Sequence, residues 1–169
     1  MKNFFLCFFL LPLLSSAQDT CHLKRETDPF THQTKVSTGF ATFKTNVGEV
    51  YVSVEATPTD IDLIIWLHSD PKCFDDQSTV QVNYDGDRLK ANFRNVGSMN
   101  CDGTLRINFR NVVTTPSNLD RLTSRKIKSL RLTGNNAVVT EIILTEEQKQ
   151  QFMRMASCVV RESKTLIKS

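Results

Sequence analysis

Two runs of alternating residues carry the densest chemistry in this 169-residue chain. In one, Leu89, Ala91 and Phe93 alternate with Arg88, Lys90, Asn92 and Arg94. In the other, Leu105, Ile107 and Phe109 alternate with Arg106, Asn108 and Arg110. A strand sends successive side chains to opposite faces, so each run has an apolar face for a core and a cationic face for water. If the two segments pair as neighbours, Arg88, Lys90, Arg94, Arg106 and Arg110 share one surface, with Asn92 and Asn108 between them. Thr79, Gln81 and Asn83 extend that surface across the Asp85-Gly86 turn. Like charges facing each other across strands are mildly destabilising, so five together raise the question of a bound partner. Arginine forks match carboxylate and phosphate oxygens. The expected partner is an acidic glycan, a lipid headgroup or an acidic protein surface. Lys and Arg also blunt sheet edges, and a merely solvated face would look the same in sequence.

Other chemistry is thinner. Asp70, Asp75 and Asp76 surround Cys73, but Pro71 and Lys72 interrupt the acidic run and no calcium-loop spacing is present. A polar loop stapled by a disulfide is the expectation there. His68, Ser69 and Asp70 are contiguous at the end of an apolar run. A catalytic triad is a spatial constellation rather than a contiguous one, so His68 reads as a structural residue. The sequence contains no GxSxG elbow, HExxH, P-loop or GxGxxG. Neither a cofactor nor a metal is called for. One Trp and two Tyr weaken the case for an aromatic sugar platform.

The start of the chain explains the cysteines. Lys2 precedes an apolar run from Phe4 to Leu14, and Ser15-Ser16-Ala17 supplies small residues for signal-peptidase cleavage after Ala17. The run is 11 residues long, and a membrane-spanning helix needs about 20. The expected product is therefore soluble, secreted or periplasmic, spanning 18–169 as a single β-rich domain without a transmembrane segment. Losing Lys2 lowers the formal charge from +3 to +2, too little to imply a nucleic-acid partner. Cys7 leaves with the signal, and Cys21, Cys73, Cys101 and Cys158 remain. Four cysteines in an exported chain read as two disulfides with three possible pairings. Cys73 with Cys101 would tie two inter-strand loops, and Cys21 with Cys158 would pin the N-terminus to the last helix.

The elements that position these residues are mostly strands. Val50, Val52, Val54 and Ala56 alternate with polar residues, as do Val80, Val82 and Tyr84. Ile61 to Leu67 is apolar on both faces, which predicts a central, buried strand. Asp85-Gly86 predicts a tight hairpin. Two further strands are expected over Lys126–Thr133 and Ala137–Leu144, separated by Gly134-Asn135-Asn136. Ser117 to Ser124 predicts one short helical turn with Ser117 as its cap. Thr145 and Gln148 form a capping-box pair before a helix whose stripe is Phe152, Ala156 and Val159. The expected fold is mainly β: an antiparallel β-sandwich or partly open barrel of eight or nine strands, with a C-terminal α-helix.

This layout resembles small secreted β-rich proteins of the Bacteroidota. The likeness lies in the Cys21 start, a Val36–Phe43 strand, the Asp85-Gly86 hairpin, Asn100-Cys101-Asp102-Gly103, and Ile127–Leu132 leading to a final helix. It implies a fold class and an exported location, and no activity. The functional expectation is a non-catalytic β-domain that binds an anionic ligand or an envelope partner through the basic face. A secreted hydrolase or enzyme inhibitor with a loop-built site is the alternative.

Overall fold

The computed structural model describes residues 21–86 and 88–167. The expected signal segment, with its cleavage after Ala17, lies outside the described residues. Among the described residues ten strands form two antiparallel sheets, and the arrangement is sandwich-like rather than a closed barrel. Sheet one has the order β1-β2-β4-β5-β8, from Lys24–Thr27, Thr34–Ser37, Gly48–Ala56, Asp60–Leu67 and Thr104–Arg110. Its sixth strand, β3 (Ala41–Thr45), also pairs with β4. Sheet two has the order β10-β9-β6-β7, from Val139–Ile143, Ile127–Thr133, Thr79–Tyr84 and Lys90–Arg94. The inward residues predicted by alternation meet between the sheets. Val50, Val52, Val54, Ile61, Leu63, Ile65, Leu105 and Ile107 from one face Val80, Val82, Leu130, Leu132 and Ile142 from the other, all buried.

The strand count exceeds the expectation for two reasons. β1 is exposed throughout and carries no apolar alternation to reveal it. The run Val36–Phe43, expected as one strand, is broken at Gly39. There φ is +65°, a left-handed conformation that favours glycine. The Ser37 hydroxyl accepts from the Gly39 N–H at 2.9 Å and fixes the break. β2 and β3 thus run along successive stretches of β4.

Two helices complete the core. α1 (Ser117–Ser124) is a full eight-residue helix rather than a single turn. Pro116 stands at its N-cap, so Ser117 is its first helical residue and not its cap. α2 (Glu146–Ser163) begins at the predicted capping box: Thr145 accepts from the Gln148 N–H, and the Gln148 side chain accepts from the Thr145 N–H at 2.9 Å. Its stripe of Phe152, Ala156 and Val159 is buried. α2 packs against β2 and β4 of one sheet, β9 of the other, and α1. It therefore closes one open side of the sandwich.

The sheets are also joined by polar contacts at two places. Asn46, in the β3–β4 turn, donates to Glu141 O at 2.8 Å and accepts from the Ile143 N–H at 2.9 Å. At the other place stands Asn95, directly after β7 and 2% exposed. Its amide nitrogen donates to Asp75 O at 2.8 Å and its amide oxygen accepts from the Arg106 N–H at 2.9 Å. The next residue, Val96, donates its N–H to Arg106 O at 2.9 Å. A buried amide satisfied on both sides fixes this corner.

Both disulfides have the expected partners: Cys73 with Cys101, and Cys21 with Cys158. They fit an oxidising, extracytoplasmic compartment. No described helix is long and apolar enough to cross a membrane. The outer bond spans 137 residues, and a chain-entropy model assigns such a loop about 5 kcal/mol. The inner bond spans 28 and is assigned about 3.6 kcal/mol. Replacing Cys21 and Cys158 together by Ala is expected to lower the denaturant midpoint more than replacing Cys73 and Cys101. Equal midpoints for the two double variants would contradict this ordering.

Candidate functional site

The five cations expected on one face are split between opposite sides of the sandwich. β7 and β8 do not pair: β7 joins β6, and β8 joins β5 in the other sheet. The segment from Asn95 to Gly103 is long enough to cross between layers about 10 Å apart. Alternation predicts which face a residue takes, and it does not name the neighbouring strand. Lys90 and Arg94 are exposed on the outward face of sheet two, and Arg88 is exposed just before them. Arg106 and Arg110 lie on the outward face of sheet one.

The outward face of sheet two recovers a cationic surface with different members. Register places Lys90 opposite Asn83, Asn92 opposite Gln81 and Arg94 opposite Thr79, as expected across the hairpin. β9 lies on the far side of β6 and adds Arg131 opposite Gln81. A bulge between Asn83 and Tyr84 shifts the register and brings Lys128 to the surface beside Ser129. These residues surround a recess of about 290 Å³ whose lining includes Gln81, Asn83, Lys90, Lys128 and Arg131, together with the carboxylate of Glu141. Asn83 donates to the Ser129 hydroxyl at 2.9 Å, and that hydroxyl donates to Glu141 at 3.2 Å. Lys90, Lys128 and Arg131 form no ion pair among the described residues, although Glu141 faces Arg131 across β9 and β10. Arg94 donates to the Gln77 side chain at 2.9 Å. Sequence reasoning missed Lys128 and Arg131. The only signal was the Ile127–Thr133 alternation, which gave no sign that β9 would lie beside β6.

The hairpin bordering this recess is tied to α2. Lys149 donates to Asp85 at 2.8 Å. That hydrogen bond is the main reason the Asp85 carboxyl lies below its ordinary 3.8.

Sheet one presents a different surface. Arg106 is paired with Asp62, whose side chain is almost fully buried, and the pairing raises Arg106 above its ordinary value. Asn108 also donates to Asp62, at 2.9 Å. Arg106 is thereby committed to a structural carboxylate, whereas Arg110 stays exposed. Further along the same face, strand register brings Tyr51 opposite Trp66. Their ring centres are 5.1 Å apart, and His68 stands edge-on to both, at 5.0 and 4.9 Å. Phe40, 54% exposed, contacts Tyr51 and Trp66 edge-on. The Trp66 indole N–H donates to Asp102 O at 2.9 Å. The scarcity of Trp and Tyr hid this grouping, because four rings gather from three separate stretches of chain. It also explains the second apolar face of Ile61–Leu67: Ile64 and Trp66 face outward and lie half-buried on the surface.

The remaining candidates resolve into structural roles. The Ser69 hydroxyl accepts from the Glu49 N–H at 2.8 Å, and Asp70 pairs with Lys72 at 2.6 Å. His68, Ser69 and Asp70 therefore each face a different partner. Asp75 accepts from the Gln77 N–H and from both the N–H and hydroxyl of Ser78, each at 2.9 Å. These bonds, led by the Ser78 hydroxyl, lower its carboxyl and make it a turn former. Among the described residues no group of three His, Cys, Asp or Glu converges to hold a metal. The chain matches no family model, no curated protein and no solved structure.

Two outcomes test this geometry. Gly103 has φ +86°, and a Cβ there would lie 2.6 Å from Leu67 O. Gly103→Ala is expected to distort the turn that supplies Asp102 O, red-shifting Trp66 emission and lowering the Tm. Asp85 has a depressed folded value, so its stabilisation is present above 3.8 and fades as pH falls through that folded value. Lys149→Met should raise the Asp85 midpoint towards 3.8 in a carboxyl NMR titration. It should also flatten the loss of stability below pH about 4. An unmoved midpoint would show that the ion pair is absent in solution.

Proposed function

We propose that this chain is exported, cut after Ala17, and acts outside the cytoplasm as a non-catalytic domain that binds an acidic glycan. The site is the outward face of sheet two. One observation carries the reading: Lys90, Lys128 and Arg131 rim a recess with no ion pair among the described residues. Three cations against the single carboxylate of Glu141 leave the recess with an excess of positive charge, which favours an anionic ligand. Side-chain amides of Gln81 and Asn83 lie among them, and amides read hydroxyl groups while cations read carboxylate or sulfate. That alternation suits a sugar bearing acidic groups better than a bare phosphate. A recess open to solvent supports binding along a chain rather than enclosure of a small substrate. The resemblance to exported Bacteroidota proteins agrees with the compartment.

Heparin oligosaccharide provides the test. Binding is expected to weaken as salt rises, because the contacts are exposed charges. Lys90→Glu with Arg131→Glu should abolish retention. Arg110→Glu, on the opposite side of the sandwich, should leave it nearly unchanged. Retention that survives the first pair, or is lost equally with Arg110→Glu, would falsify the assignment.

A further inference from the structure

The outward face of sheet one holds a second site, separate from the basic recess. We infer that Phe40, Tyr51, Trp66 and His68 form a platform for the pyranose rings of a neutral glycan. The inference stands on different residues from the proposed function and does not depend on it.

The rings are held in place before any ligand arrives. Trp66 is anchored through its N–H to Asp102 O at 2.9 Å, and the Tyr51 hydroxyl donates to Glu49 at 3.4 Å. His68 is fixed by its edge-on contacts with both. Rings that are already ordered lose little freedom on binding. Phe40 is open to solvent at 54% exposure, and Tyr51 and Trp66 are partly exposed. The faces of aromatic rings are electron-rich. The C–H groups on one side of a pyranose carry slight positive polarity and stack on such faces.

The surroundings favour a sugar over an apolar partner. Strand register lays out one continuous outward row: Thr42, Tyr51, Trp66, Thr104. Four strands at their usual spacing make this row roughly 14 Å wide. Hydroxyls therefore stand at both ends of the ring pair, where the hydroxyl rim of a stacked sugar would fall. Lys44 and Glu49 face each other in the adjacent register position. They supply a donor and an acceptor with balanced charge, which gives no preference for a charged ligand. The row is long enough for a short run of linked sugar rings. A protein hot spot would also use aromatic rings, and the test is arranged to separate the two.

Trp66 is the only tryptophan of the chain, so its fluorescence reports this surface alone. The full exported protein is titrated with cellohexaose, xylohexaose, mannohexaose and laminarihexaose. At least one is expected to shift or quench the emission saturably. The affinity should hold between about 0.05 and about 0.5 M salt, since no ion pair is involved. Phe40→Ala and His68→Ala remove exposed rings. Each should weaken binding about tenfold while leaving the thermal midpoint in place. Lys90→Glu with Arg131→Glu should leave the Trp66 response intact, which separates this site from the basic recess. Silence towards all four sugars would overturn the inference. A response undiminished in Phe40→Ala and His68→Ala, or one seen only with an apolar peptide, would overturn it equally.

Discussion

The corner at Asn95 decides what the two faces of this protein are. Its side-chain amide joins the loop before β6 to the start of the crossing segment and to β8. With that amide satisfied, β7 ends in sheet two and the chain passes to sheet one. Had the chain turned back instead, β7 and β8 would have paired and all five predicted cations would share a surface. An uncharged, buried residue thus separates the charged side chains of Lys90 and Arg94 from those of Arg106 and Arg110, touching Arg106 only through its backbone N–H. Leaving such an amide's partners unpaired in the interior costs roughly 1–3 kcal/mol per group, so the route of the chain is strongly held.

The separation gives the two outward faces different chemistry. On sheet two, cations stand among amides with few counter-charges. On sheet one, the principal arginine is neutralised by a buried aspartate, and the exposed character comes from aromatic rings. Both faces are positioned by the same inward core, because in each strand the residues between those of the surface are the buried valines, leucines and isoleucines. The faces are as rigid as the sandwich itself, and α2 with its disulfide to Cys21 holds the open side shut.

Features that depend on near neighbours were legible in the sequence. The alternating strands, the Asp85-Gly86 turn, the Thr145–Gln148 box and the oxidised state of the four cysteines all follow from local pattern or from compartment. Features that depend on distant partners were not. The Lys90–Arg94 run looks the same whether its neighbour is β8 or β6. The Arg131 side chain joins the basic recess only because β9 lies beside β6. Tyr51 and Trp66 are fifteen positions apart and meet only through the β4–β5 register, so a count of aromatic residues could not reveal them. Gly39 was visible as a glycine, but its positive φ comes from the turn built by Ser37.

Asn46 has a consequence beyond joining the two sheets. β10 is the last strand of its sheet, and its outer side offers bare peptide groups to any extended chain that comes near. The Asn46 side chain presents one donor and one acceptor, the same pair that a residue of another strand would bring. It takes up Glu141 O and the Ile143 N–H, where a foreign strand would begin to add. A single amide thus acts as a strand one residue long, filling the two backbone positions through which an added strand would pair.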